Sequence, residues 1–172
     1  FDAAFPVHHL LLKGALRPER LAACCAAAGA LLDATRAISG EIRSEGLVTV
    51  LFERILAETR SARVALALEE EDALEFHAAA EAGPAPLVRF PGQPLERAAQ
   101  DVPVTLLQTV ARTRRRLLVS DSAGDEVFSH ESYFRGQEAL AALCLPLLAG
   151  ERFVGVLYVE RSATAGPFTG KD

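Results

Sequence analysis

The pattern of apolar and polar positions near the end of the chain predicts a β-hairpin. Two apolar runs, 143–148 and 153–159, flank the polar break 150–152, where Gly150 can adopt the positive φ of a tight turn. Alternation places the second run on two faces, with Val154, Val156 and Tyr158 on one and Phe153, Gly155, Leu157 and Val159 on the other. Because both faces are apolar, both must be covered. The pattern therefore predicts a central hairpin in a sheet with layers on each side.

The rest of the chain predicts helices and four further strands. Apolar residues at steps of three and four predict a long helix over 21–42 and a second helix over 47–60. Alternation over 63–69 predicts a strand with Val64, Leu66 and Leu68 on one face and Ala65 and Ala67 on the other. The remaining predicted elements are strands over 74–81, 87–90 and 116–120, a loop over 91–94 and a helix over 103–114. Strands with helices before and between them predict an α+β domain built on an antiparallel sheet.

The hairpin resembles the last two strands of a GAF domain, a small sensory module of signalling proteins. The matching motifs are Leu-Cys-Leu-Pro-Leu at 143–147, Gly150, Val-Gly-Val-Leu-Tyr-Val-Glu at 154–160 and Phe-Thr at 168–169. The resemblance reaches back to about residue 30 through shorter motifs at 121–128, 103–110 and 37–39. It implies a central six-stranded antiparallel sheet with helices on both faces, as in the modules of large bacterial sensor kinases.

The resemblance also predicts how the chain is organised and how it assembles. We expect residues 1–17 to be a linker or the tail of a preceding region, and residues 18–172 to form the GAF domain. GAF domains usually continue past the Phe-Thr motif into a long helix, so we expect the C-terminal helix to be truncated here. The apolar stripe of the 21–42 helix would then lack its natural neighbour. We therefore expect a homodimer through the terminal helices, and an output domain in the parent protein.

Composition narrows the classes of partner and the compartment. A chain of 172 residues, half of them apolar, suits one domain with a substantial core. The net charge of −5 argues against a general affinity for nucleic acid or for an anionic membrane. No apolar run is long enough to span a bilayer. Three cysteines, two of them adjacent, do not form a disulfide framework, so we expect a reducing cytoplasm.

The cysteines offer the only sign of covalent chemistry, and we expect no enzyme. Cys144 on its predicted strand is either a small packing residue or a redox nucleophile, which would need a lowered pKa. The enzyme known within the GAF fold uses several clustered cysteines to reduce free methionine sulfoxide, and this chain departs from that pattern. It also has no Cys-His pair for attaching a bilin and no Asn for the Asn-Lys motif of cyclic-nucleotide binders. No cofactor is therefore assigned.

The histidines and arginines of the sequence are candidate ligands for metals and anions. His8 and His9 lie in the predicted linker, His77 on a strand is expected to face solvent, and no histidine pair has metal-binding spacing. His130 lies in a polar loop, where a haem or iron role is a minor alternative. The basic cluster at 112–116 fits either solvated cations at a helix C-terminus, which we favour, or a phosphate or carboxylate site.

The family geometry places any ligand between the sheet and the segments 103–110 and 121–134. The predicted ligand-binding residues are Phe90, Leu107, Val119, Asp125, Phe128, His130, Tyr133 and Phe134. A mostly apolar wall with a few polar groups suits a small organic ligand. We therefore expect a non-enzymatic sensing or dimerisation module of a bacterial signal-transduction protein, such as a histidine kinase. The alternatives are a redox enzyme using Cys144 and a structural interaction domain without a ligand.

Overall fold

The computed structural model describes residues 29–30, 41–84 and 86–168, with the backbone alone over 41–44. Its helices are α1 (Glu41–Thr59) and α2 (Val104–Thr113), with short 3₁₀ turns at Leu95–Ala98 and Ala163–Ala165. Its strands are β1 (Arg63–Glu70), β2 (Ala73–Glu81), β3 (Gln93–Pro94), β4 (Leu117–Val119), β5 (Leu140–Ala149) and β6 (Arg152–Ser162). They form one antiparallel sheet in the order β3-β2-β1-β6-β5-β4. The predicted six-stranded α+β fold is thus confirmed.

The central hairpin of β5 and β6 is present and covered on both faces, as predicted. β6 lies between β1 and β5, and β5 lies between β6 and β4. Residues 153–161 of β6 are all buried. Gly150 occupies the turn with φ of 64°, a conformation that glycine adopts without steric cost. The hairpin therefore forms the middle layer of the domain.

A bulge in β6 corrects one predicted face. Leu147 pairs with Gly155 and Leu148 pairs with Phe153, so Val154 is an extra residue without a partner on β5. The extra residue reverses the alternation before it. Val154 therefore packs on the side of Leu157, and Phe153 packs on the side of Val156, opposite to the predicted assignment.

The sheet separates two hydrophobic clusters. The α1-side cluster contains Val48, Leu51, Phe52, Ile55 and Leu56 of α1 together with Val64, Leu66, Leu68, Leu145, Leu147, Leu157, Val159 and neighbouring residues. The α2-side cluster contains Leu106, Leu107 and Val110 of α2 together with Ala65, Ala67, Phe76, Phe128, Tyr133, Phe134, Cys144, Phe153, Tyr158 and others. The two predicted faces of β1 are thus confirmed, with its alanines on the side of α2.

Two elements differ from their predicted bounds. α1 begins at Glu41 rather than at residue 47, because apolar periodicity marks only the part of a helix that contacts the core. The strand expected over 87–90 makes a single isolated bridge, between Arg89 and Ala79. The third strand lies instead at Gln93–Pro94, where a loop was expected. Proline is tolerated there because this strand is at the sheet edge.

Of the predicted 21–42 helix, the structure describes residues 29–30, which are helical, and residues 41–42, which belong to α1. Gly29 is buried, and a Cβ atom there would lie 2.8 Å from the carbonyl oxygen of Leu148. The absence of a side chain at Gly29 thus allows close approach of the end of β5. The predicted linker over 1–17 and residues 18–28 and 31–40 lie outside the described residues.

Candidate functional site

The connection from β4 to β5, residues 120–139, lies over the α2 side of the sheet; we call its 121–139 part the covering segment. It folds as successive turns. The Oδ1 atom of Asp121 accepts a hydrogen bond from Ala123 N at 2.9 Å. The Oδ1 atom of Asp125 accepts from Val127 N at 2.9 Å and Phe128 N at 2.8 Å. Short acidic side chains that bond to the following backbone stabilise turns, so Asp125 here shapes the segment.

Reciprocal hydrogen bonds close the base of the covering segment. Ser122 N donates to Leu140 O at 2.8 Å, and Leu140 N donates to Ser122 Oγ at 2.9 Å. Ser122 is buried, so its hydroxyl needs these partners. The two ends of the segment are therefore held together beside the start of β5.

Aromatic side chains of the covering segment enter the core. Phe128, Tyr133 and Phe134 are buried in the α2-side cluster. The ring of Tyr133 packs edge to face on Phe134 at 5.3 Å and on Tyr158 of β6 at 6.2 Å between centroids. Such pairs favour defined ring orientations beyond the burial of apolar area. The segment is thus held to the sheet by a few large side chains.

A buried polar group lies beneath these rings; we call Arg63, Tyr133, Tyr158 and Glu160 the Glu160 cluster. Glu160 is 5% exposed, and its two carboxylate oxygens accept hydrogen bonds from Tyr133 Oη at 2.7 Å and Tyr158 Oη at 2.5 Å. Arg63 lies opposite Glu160 in the β1–β6 pairing, and its guanidinium carbon is 5.6 Å from the centroid of the Tyr133 ring. A buried carboxylate requires such donors and a nearby cation.

Both tyrosines of the Glu160 cluster remain hydroxyl donors. Burial raises the pKa of Tyr133, and the negative charge of Glu160 raises it further against the lowering effect of Arg63. Burial also raises the pKa of Tyr158 well above its ordinary value, again with a contribution from Glu160. At neutral pH each phenol is therefore protonated and can donate to the carboxylate.

Cys144 is a packing residue in this structure. It is fully buried, it is free, and it lies opposite Tyr158 in the β5–β6 pairing. Burial raises the pKa of its thiol well above the ordinary value, which disfavours the reactive thiolate. Within the described residues no group of three or more His, Cys, Asp or Glu side chains could hold a metal ion. Cys24 and Cys25 lie outside the described residues.

The structure brings together five of the eight predicted ligand-binding residues. Those that share the α2-side cluster are Leu107, Val119, Phe128, Tyr133 and Phe134. Asp125 is partly buried in its turn, and His130 is exposed on the outside of the covering segment. Phe90 instead packs against the α1-side cluster and contacts His77 edge to face at 5.8 Å. His77, expected to face solvent, is therefore partly buried.

Sequence reasoning missed Arg63, Tyr158 and Glu160 as site residues. The signal available was the spacing of Tyr158 and Glu160, which places a carboxylate and a phenol on the same face of an otherwise apolar strand. The partner Tyr133 lies 27 residues away in the sequence, and local pattern gives no indication of that contact.

The basic cluster forms the end of α2, and Arg114 makes specific contacts there. Arg114 caps the helix in the left-handed conformation, with its N–H bonded to Val110 O at 2.8 Å. Its guanidinium carbon lies 3.5 Å from the centroid of the Phe153 ring, and its Nη2 atom is 3.9 Å from Glu69 Oε1. The adjoining cleft of about 380 Å³ is lined by both arginine and carboxylate side chains. This mixture of charges favours the interpretation as helix-end cations over a dedicated anion site.

Comparison with known proteins identifies the family. The family model described as GAF domain matches residues 44–172. This chain belongs to the GAF domain family. The match confirms the predicted family. GAF domains are regulatory and sensory modules of signalling proteins. No curated protein matches the chain. Among the described residues, no helix combines the length and apolar character that a bilayer crossing requires.

One solved structure supports the GAF fold, and a second is similar at a lower level. A GAF domain/HD domain protein from Geobacter sulfurreducens is similar at a TM-score of 0.52 and 13% identity, over 73% of this chain and 78% of that one. A GAF domain from an Acinetobacter phosphoenolpyruvate-protein phosphotransferase aligns at a TM-score of 0.44 and 11% identity, over 78% of this chain and 75% of that one. At such identities the first likeness supports the fold alone.

Proposed function

We propose that this GAF domain is a non-enzymatic sensory or dimerisation module of a multidomain bacterial signalling protein of the sensor-kinase type. A small organic ligand binds between the sheet and the covering segment, against Leu107, Val119, Phe128, Tyr133 and Phe134. Asp125 and His130 lie at the outer rim of this site. Phe90 packs on the opposite side of the sheet and has no part in the proposal.

One observation carries the proposal: five predicted wall residues share the α2-side cluster, and three of them belong to an irregular segment that a few contacts hold in place. An irregular cover can move away at less cost than a regular helix or strand, because fewer backbone hydrogen bonds must break. Movement of the segment would expose apolar rings together with the buried Glu160 carboxylate. An apolar wall with one charged group is the usual composition of a small-molecule site.

In the proposed mechanism, the ligand favours one position of the covering segment and so one arrangement of the terminal helices. An output domain of the parent protein responds to that arrangement. Two copies of this chain pair with each other through their terminal helices. Residues 1–17 serve as the linker before the domain at 18–172. The free thiol of Cys144 supports a reducing, cytoplasmic location.

Native mass spectrometry of the chain purified from its own host tests the ligand. We expect a bound small molecule on the wild type. Leu107→Phe adds volume within the proposed site and should abolish the extra mass. Leu51→Phe adds the same volume to the α1-side cluster and should leave the extra mass unchanged. A wild-type chain without any bound compound would favour an interaction domain without a ligand. Equal loss of the bound mass in both variants would contradict the position of the proposed site.

Two further measurements test the rest of the proposal. Light scattering after size exclusion should give the mass of a dimer, and a monomer at all concentrations would contradict the pairing of terminal helices.

A native thiol titration should modify Cys144 only as the chain unfolds, because the residue is fully buried. Rapid modification under native conditions would instead support the redox alternative.

A further inference from the structure

Two adjacent charged residues near the end of β6 are buried on opposite sides of the sheet. Glu160 is 5% exposed and Arg161 is 8% exposed. Because successive side chains of a strand point to opposite faces, Glu160 faces the covering segment and Arg161 faces the α1 side. Buried charges are rare, and two in sequence on one strand require partners in both layers.

On its side of the sheet, Arg161 joins two separate parts of the chain. Its Nη1 atom donates to Thr59 O at the end of α1 at 3.3 Å. Its Nε and Nη2 atoms donate to Gly166 O at 2.9 Å and Pro167 O at 2.7 Å, and its guanidinium carbon lies 4.3 Å from the ring centroid of Phe168. The planar guanidinium thus fixes the C-terminal segment 166–168 against the end of α1.

On the other side, Glu160 joins β6 to the covering segment through the Tyr133 hydroxyl. The backbone between the two contacts is well held, since Glu160 O accepts from Ala62 N at 2.8 Å and residue 160 pairs with both neighbouring strands. If the covering segment moves away, the buried carboxylate loses one of its two donors and must find another. Because the paired backbone holds residues 160 and 161 as one unit, a shift of the strand end that gives Glu160 a new donor would also move Arg161.

We propose that Glu160 and Arg161 together transmit the position of the covering segment to the end of α1 and the 166–168 segment. The biological meaning of this route rests on the proposed sensory function, but its physical content does not require a ligand. Coupling of this kind is reciprocal, so a change at Arg161 must also alter the covering segment. Both directions can be measured in the chain without any bound compound.

Residue-resolved amide hydrogen exchange by NMR on the full chain tests the forward direction. Tyr133→Phe keeps the ring and removes only the hydroxyl that donates to Glu160. We expect faster exchange of the Phe134 amide by about fivefold, the effect of one net hydrogen bond, and a transmitted increase at Gly166. The Ala163 amide is excluded as a reporter because it bonds directly to the carbonyl oxygen of Ala139, the last residue of the covering segment.

Arg161→Lys tests the reverse direction, because lysine keeps the charge and loses the planar set of donors. We expect faster exchange at Gly166 and a transmitted increase at Phe134. Leu95→Ala serves as the control, since Leu95 is buried in the α2-side cluster and belongs to the 3₁₀ turn rather than to either segment. It reports the exchange increase caused by general loss of stability, which must be subtracted.

The proposal is overturned if each variant accelerates exchange only in its own segment. It is also overturned if the remote increase is no larger than Leu95→Ala produces for the same loss of unfolding free energy. Should Tyr133→Phe not fold, Glu160→Gln keeps the side-chain length and one acceptor and gives the same comparison. If mass spectrometry finds a ligand and the two segments are uncoupled, the route through Glu160 and Arg161 is contradicted and the sensory function is supported. Coupled segments in a chain without any ligand would support this route and contradict the sensory function.

Discussion

On the α1 side of the sheet, a regular 19-residue helix lies on Val64, Leu66 and Leu68, and its contacts are mainly aliphatic. On the α2 side, the irregular covering segment adds aromatic rings and the buried Glu160 cluster. Aliphatic burial stabilises without specific direction, whereas buried polar groups require particular partners in particular places. The α1 side is therefore held mainly by apolar burial, whereas the α2 side also depends on the specific hydrogen bond between Tyr133 and Glu160.

The largest expected effect is on the aliphatic face. Ile55 of α1 is fully buried, so Ile55→Ala should lower the free energy of unfolding by about 2–5 kcal/mol through lost burial and an unfilled cavity. Val50→Ala, at a half-exposed position on the same helix, should change it by less than about 0.5 kcal/mol. Urea denaturation followed by circular dichroism measures both. Equal effects would show that α1 does not carry the stability assigned to this face.

An alkaline transition should arise from the polar face. Folding raises the pKa values of Tyr133 and Tyr158. As the pH rises, the unfolded chain therefore loses these protons before the folded chain does, starting near the ordinary pKa of 10.0. Their contribution to stability is therefore complete below about pH 10 and decreases above it, by up to about 1.4 kcal/mol per pH unit for each tyrosine. The raised pKa of Cys144 adds a loss of the same sign from about its ordinary value of 9.0.

Urea denaturation at pH 9, 10 and 11 measures this slope, and Tyr133→Phe isolates one tyrosine. The variant should lose stability less steeply than the wild type, by about 1.4 kcal/mol per pH unit at most. Ile55→Ala, on the other face, should keep the wild-type slope. Identical slopes for the wild type and Tyr133→Phe would contradict the assignment of the transition to the Glu160 cluster.

The smallest expected effect concerns the solvent side of α1. Gly46 is an exposed helical residue, and a Cβ atom there would meet nothing within 4 Å. Gly46→Ala should therefore raise the free energy of unfolding by about 0.5–1 kcal/mol through helix propensity. Thermal unfolding measures the gain, which should be the same with or without Tyr133→Phe, because the two sites are on different faces. A loss of stability would contradict the open space around Gly46, because it would mean that the added methyl group clashes with a neighbouring residue.

The sequence predicted most of the sheet because the continuous apolar runs in β1 and β6 directly reflect burial on both faces. It misplaced the third strand, because the pairing of Gln93 with Phe76 depends on a partner strand and not on local pattern. It assigned Val154 to the wrong face, since a one-residue bulge has no signature in an all-apolar run. Phe90 could not be distinguished from the other aromatic residues, because the side on which a loop crosses the sheet edge is a tertiary property.

The candidate site divides in the same way. Leu107 and Val119 were named because the family geometry places a ligand beside their segments, and both lie in the α2-side cluster. The Glu160 cluster was not, because a glutamate near a strand end is ordinarily a solvated residue. Its burial follows from Tyr133, which reaches it only after the covering segment has folded over the sheet.

Both outermost strands of the sheet are short, two residues in β3 and three in β4. A short edge offers few unpaired backbone groups for another chain to extend, and Pro94 in β3 has no N–H to donate. Self-association by adding strand to strand is therefore disfavoured at either margin. Copies of the domain that come close together can thus stay separately folded rather than merge into one extended sheet.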